Sequence, residues 1–312
     1  MRKVFKWTLI VIAVVYSLIV FVAPAVMLWL FSDKHVSYHR VYRAEEAGLP
    51  DPDTLRLKTK DGFLIHTLEV KPESAPKGAV ICLTGIENPS VTGFYGHARE
   101  FRDLGLVTLM TEVRGHGESD GERICLAYHE TADVKAVTDY VKATYSDIPV
   151  IVMGVSMGGA IAIRSIGEND DIDALVSLSA YSSIQDFMGY QFGRFITPVL
   201  AYPVKLTTAL YAGLMFGCDG FKATPLKAIA KLDGRPALMM HSRKDSQVPF
   251  LCFEKLTREA AKATSDLRTY VVEGDEHFIT GSFGMPEEDE AYNQTLLSFI
   301  KAVTHCSETA RQ

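Results

Sequence analysis

Basic residues are not in excess: Lys and Arg number 32 against 38 Asp and Glu, a net charge of −6 over 312 residues. Such a chain has no basic excess of the kind that holds a phosphate backbone, and no nucleic-acid partner is expected. Cysteine is scarce and odd in number, with Cys82, Cys125, Cys218, Cys252 and Cys306 widely spaced and no C-x-x-C pair. Neither a disulfide framework nor a zinc ribbon fits that pattern. Internal repeats and low-complexity tracts are missing too. G-x-x-x-x-G-K-[ST] is absent, and the near G-x-G-x-x-G at Gly115-His116-Gly117-Glu118-Ser119-Asp120 meets its third glycine one residue late, at Gly121. No nucleotide cofactor is expected. His129-Glu130-Thr131-Ala132-Asp133 has Asp where a zincin helix needs its second His, so no metal is expected either. With 47% hydrophobic and 22% charged residues and a mean hydropathy of +0.08, the chain is neither disordered nor polytopic.

A long stretch without charge covers Trp7 to Phe31. As a helix it spans roughly 37 Å, more than a bilayer core of about 30 Å. Ala23-Pro24-Ala25 has the form of a signal-peptidase site, but the apolar run continues through Val26 to Phe31, so an uncleaved anchor is expected. Three cations precede the run (Arg2, Lys3, Lys6) and three follow it closely (Lys34, Arg40, Arg43), leaving the charge rule nearly balanced. The positive N-terminus favours N-in, with the large domain outside the cytoplasm, whereas five thiols favour a reducing compartment. Without its N-terminal cations the rest of the chain is more acidic still, which does not suit anionic head groups. The expected organisation is an anchor over 1–34, a connector over 35–53 and one globular domain over 54–312.

Within that domain, Thr54 to Lys60 and Gly62 to Val70 alternate as a hairpin around Lys60-Asp61-Gly62. Short apolar runs follow at Ala79 to Thr84, Val107 to Thr111, Val150 to Met153, Leu175 to Leu178, Ala237 to Met240 and Thr269 to Val272, as strands buried on both faces should read. Helical stretches lie between most of them, among them Asp133 to Tyr145, Met157 to Ile166, Phe253 to Ala263 and Glu287 to Val303. This order predicts an α/β protein with a mostly parallel sheet. One interval, about Ser179 to Pro236, is far longer than a usual connection. Its apolar, charge-poor stretch predicts a helical cap over about 184–222.

Gly154-Val155-Ser156-Met157-Gly158 has the form G-x-S-x-G, which arises by chance in roughly one chain of this length in ten. Its context, after an apolar strand and opening a helix, makes it a nucleophile elbow that lifts Ser156 above the sheet edge. A serine hydroxyl needs a general base, and that base needs an orienting acid. His277 follows the strand Thr269 to Val272 and Asp245 follows Ala237 to Met240, so both are expected on loops at the same edge. The oxyanion donors are expected to be the N–H groups of Met157, at a helix N-terminus, and of Ile86, in the loop Thr84-Gly85-Ile86-Glu87-Asn88. Glu87 is a candidate ligand for a substrate amine.

The elbow, Arg114-Gly115-His116-Gly117-Glu118-Ser119, Thr224-Pro225-Leu226 and the acid and histidine loops together resemble the α/β-hydrolase superfamily over about residues 54 to 304. The branch resembled is that of monoacylglycerol lipases and serine aminopeptidase-like bacterial hydrolases. The resemblance implies a mostly parallel eight-stranded sheet with helices on both faces and a helical cap, here preceded by one transmembrane helix. Two positions depart from the pattern: Thr84-Gly85 stands where the family has His-Gly, and Glu112 where it has Asp.

The expected function is a membrane-anchored serine hydrolase for acyl esters, working through Ser156, His277 and Asp245 and an acyl-enzyme, without cofactor. Its partners would be a small acyl ester, lipid-like if the cap forms an apolar pocket, and the membrane through residues 7–31. Peptidase, thioesterase or haloperoxidase chemistry on the same residues stays open, as does an anchored binding domain without catalysis.

Overall fold

A computed structural model of the chain describes residues 1–87, 89–145 and 147–309. The N-terminal apolar run is one long helix in which α1 (Arg2–Ser17) passes through a π turn at Leu18–Val22 into α2 (Ala23–Ser32). Pro24 has no N–H, so the carbonyl of Val20 four residues earlier lacks its helical donor. The π turn sits where that ladder is interrupted.

The hairpin of β1 (Asp53–Lys58) and β2 (Leu64–Val70) is followed by β3 (Gly78–Leu83), α3 (Tyr95–Asp103), β4 (Leu106–Thr111), α4 (Thr131–Thr144), β5 (Val150–Val155), α5 (Met157–Glu168) and β6 (Ala174–Leu178). Next come α6 (Ile184–Gly193), α7 (Pro198–Phe216) and α8 (Pro225–Ala228), then β7 (Ala237–Ser242), α9 (Phe250–Ala263), β8 (Leu267–Val272) and α10 (Glu290–Thr309). The eight strands form one sheet in the order β1-β2-β4-β3-β5-β6-β7-β8, with β2 antiparallel to both neighbours and the rest parallel. Every residue of β3 to β7 is buried, as apolar runs without alternation require.

Alternate residues of those strands face two cores. Ile81, Leu109 and Val152 share one with Val137 of α4, Ile161 of α5 and Leu256 of α9. Val80, Met110 and Met153 share the other with Phe101 of α3 and Leu296 and Phe299 of α10. Helices therefore cover both faces, and the loops at the C-terminal ends of the parallel strands are left to build a site.

The long interval holds α6 and α7 packed together. Among the described residues, two helices are long and apolar enough to cross a membrane, Arg2–Ser32 and Pro198–Phe216. The second cannot be a single span, because β6 before it and β7 after it pair in the same sheet, so both its ends lie on one side. The last helix begins at Glu290 rather than Glu287: Pro286–Glu288 form a short 3-10 turn, and Asp289 caps the helix by accepting the Tyr292 N–H at 3.1 Å.

Candidate active site

Ser156 sits between β5 and α5 with φ 57° and ψ −118°. A non-glycine residue at positive φ is strained by about 1–3 kcal/mol and persists only where its surroundings impose it. Here they do: a Cβ on Gly154 would lie 2.2 Å from the Gly158 carbonyl oxygen, and one on Gly158 would lie 2.3 Å from that of Leu83. Only glycines allow the strand, the turn and the loop after β3 to approach so closely. The Ser156 N–H is held by the Leu178 carbonyl at 2.8 Å, which ties the elbow to β6.

The acid and histidine loops are bound to each other. His277 Nδ1 and Asp245 Oδ2 are 2.8 Å apart, and both residues are buried. Ser242 Oγ donates to the Glu276 carbonyl, the Lys244 N–H donates to the Gly274 carbonyl at 3.0 Å, and the Ser246 N–H donates to Asp275 at 2.6 Å. Burial pushes the Asp245 carboxyl up, but His277 and the N–H groups of Val248 and Gln247 outweigh it and hold the pKa below the usual value. His241 lies beside the pair, 3.6 Å from Asp245 Oδ2, and burial lowers its pKa, so it stays neutral. Its Nε2 is 3.0 Å from the Val248 carbonyl oxygen. Ser156 and His277 share no hydrogen bond among the described residues.

Ser156, Ile86 and Met157 line one apolar cavity of about 290 Å³. Tyr181, Ile184 and Phe187 wall it from the cap side, and Gln191 and Gln247 supply its side-chain amides. A Cβ on Gly85 would lie 3.4 Å from that of Ser156, so the loop after β3 runs directly beside the serine. The two departures in sequence are accommodated locally. Thr84 Oγ1 donates to the Pro89 carbonyl at 2.8 Å, closing the loop, while Glu112 accepts the Glu118 N–H at 2.7 Å and meets His66 Nδ1 at 2.8 Å. Asn88 lies outside the described residues.

Glu87, the candidate ligand for a substrate amine, forms an ion pair with Lys34 at the surface. Two contributors to the site were not among the expected site residues, although the first stands in the Arg114-Gly115-His116-Gly117-Glu118-Ser119 run. His116 places Nε2 3.2 Å from the Ile86 carbonyl and Nδ1 3.1 Å from that of Arg114; burial keeps the ring neutral, so it donates to one of them. Phe31, at the end of the N-terminal helix, lines the cavity beside Ser156. Arg114 anchors the adjoining loop through Asp133 at 2.7 Å and Asp61 at 2.7 Å. The described residues hold no cluster of three or more His, Cys, Asp or Glu that could bind a metal.

Residues 74–216 match the family model described as serine aminopeptidase, S33. The chain is 24% identical over 250 residues to the uncharacterized protein YqkD of Bacillus subtilis, covering 79% of this chain and 78% of that one. It is 33% identical to human monoglyceride lipase over 129 residues, which is 40% of this chain and 42% of the lipase. Among solved structures, an esterase of Pyrococcus furiosus superposes with a TM-score of 0.64 at 20% identity, covering 86% of this chain and 98% of the esterase. The sheet order, the elbow and these likenesses together show that the chain has the α/β-hydrolase fold.

Proposed function

We propose that this hydrolase is a membrane-anchored carboxylesterase or monoacylglycerol lipase-like enzyme that works through a Ser156–His277–Asp245 triad. The observation that carries the reading is the 2.8 Å contact between His277 Nδ1 and a buried, ionised Asp245, on loops at the same sheet edge as the strained Ser156. Asp245 holds the imidazole with its proton on Nδ1, leaving Nε2 to take the Ser156 proton as Oγ attacks the acyl carbonyl. The imidazolium then returns that proton to the leaving alkoxide, and water, activated by the same nitrogen, releases the acid from the acyl-enzyme. The N–H groups of Ile86 and Met157 are the proposed oxyanion donors, the second aided by the α5 dipole.

An ester is favoured over an aminoacyl substrate because the cavity is apolar and Glu87, the carboxylate within the loop after β3, is engaged by Lys34. Anchoring is supported by the exposed apolar surface of α1 and by that of α7 beside it, where Val199, Leu206, Leu210 and Leu214 face outward. N-in orientation, with the hydrolase domain extracytoplasmic, completes the proposal. The test is a panel of acyl ester, thioester and aminoacyl substrates offered to the detergent-solubilised protein and to Ser156→Ala. Hydrolysis of acyl esters in preference to the others, abolished by Ser156→Ala, is expected. Preferential aminoacyl cleavage, or ester hydrolysis that survives the substitution, would overturn the assignment.

A further inference from the structure

The N-terminal helix is bound into the hydrolase domain along its second half. Thr207 Oγ1 of α7 donates at 2.7 Å to the Val20 carbonyl that Pro24 leaves without a helical donor. Tyr211 Oη donates to the Phe21 carbonyl at 2.9 Å, and Tyr16 Oη to the Leu200 carbonyl at 3.0 Å. The chain leaving the helix is bound as firmly. The Ile124 N–H donates to the Ser32 carbonyl at 3.0 Å, Val36 exchanges backbone hydrogen bonds of 2.8 and 2.9 Å with Gly115 and Gly117, and Lys34 pairs with Glu87. A tether needs only one attachment and a flexible connector. This helix has polar attachments before and after Phe31, and they fix that ring in the cavity wall.

Phe31 meets Phe187 of α6 edge-on, with centroids 6.4 Å apart and planes at 76°. The two rings stand between the cavity that holds Ser156 and a second apolar cluster between the helix and the cap, formed around Val20, Met188 and Val204. We propose that Phe31 is a specificity-determining residue of the acyl pocket, limiting with Phe187 the chain length accepted, and that the N-terminal helix is thereby part of the substrate site. The proposal rests on the reading of Ser156 as the acyl acceptor. Removing the Phe31 ring extends the cavity toward that second cluster, so longer chains gain; a larger ring shortens it, so they lose. A group that fits or fails by a few methylenes shifts selectivity by about tenfold or more.

The test uses full-length protein in detergent and p-nitrophenyl butyrate, octanoate and dodecanoate. Phe31→Ala is expected to raise the dodecanoate-to-butyrate ratio of kcat/KM by about tenfold, and Phe31→Trp to lower it. Should Phe31→Ala fail to fold, Phe31→Leu carries the same expectation with a smaller rise. Trp29→Ala, two residues away on the exposed side of the helix, is expected to leave the ratio unchanged. Ratios unmoved by both Phe31 variants, or moved as much by Trp29→Ala, would overturn the assignment. Fluorophosphonate labelling of Ser156 separates the failures: a labelled serine with unmoved ratios defeats the role of Phe31 alone, whereas an unlabelled folded protein defeats the hydrolase reading and this one with it.

Discussion

At the scale of single residues, the chemistry depends on which proton each imidazole carries. Asp245→Asn preserves shape but lets the amide donate to His277 Nδ1, favouring the tautomer that cannot accept the serine proton. A fall in kcat of about 10³–10⁴-fold with little change in KM is expected in steady-state ester hydrolysis. A smaller role in orienting the imidazole would leave kcat within tenfold. A different histidine governs stability. His97 is fully buried against Phe94 and Phe283 with Nε2 2.8 Å from Tyr292 Oη, and burial drives its pKa down from 6.5 to about 3. Below pH 6.5 the unfolded chain binds a proton that the folded one does not. The stability is therefore whole above 6.5 and falls on acidification toward 3, by up to about 1.4 kcal/mol per pH unit from this group. His97→Leu, compared with wild type in urea melts at pH 7.5 and 5, is expected to be weaker at pH 7.5 but to lose less on acidification. The serine, acid and histidine were legible because each stands beside a strand whose apolar run marks the sheet edge. Phe31 was not, since it acts through contacts with residues remote in sequence; His116 stood in a motif that marked its loop but not its contact with the Ile86 carbonyl.

At the scale of elements, the buried strands were readable to within a residue or two, because burial on both faces leaves no alternation to misread. α3 was harder to read: Tyr-Gly-His-Ala-Arg-Glu-Phe-Arg-Asp carries its apolar contacts on few residues, Tyr95, Ala98 and Phe101 among them. Sequence also could not show that the N-terminal helix docks on α7, since the hydroxyl-to-carbonyl bonds and the apolar cluster around Val20 and Val204 join residues remote in sequence. Thr207→Val keeps the volume and removes the donor, leaving the Val20 carbonyl unpaired in an apolar setting. A loss of about 1–2 kcal/mol is expected, seen as a lower Tm in detergent and faster hydrogen exchange across residues 16–32. Unchanged exchange there would mean that the helix is held by packing alone.

At the scale of the whole molecule, a mostly parallel sheet followed from the βα rhythm, whereas the strand order and the side of a membrane did not; the cations flanking the N-terminal helix nearly balance. The apolar surface of the helix and the outward face of α7 form the region proposed to meet lipid, with the Ser156 cavity next to the helix end that leaves it. Alkaline carbonate extraction should leave the protein in the membrane fraction; release into the supernatant would contradict an integral anchor. The most direct measurement is fluorophosphonate labelling of the folded, detergent-solubilised protein with the modified peptide identified by mass spectrometry. The phosphonate is expected on Ser156, with labelling abolished in Ser156→Ala and His277→Ala. Folded wild type that stays unlabelled, or labelling that persists without His277, would contradict an activated serine at this elbow.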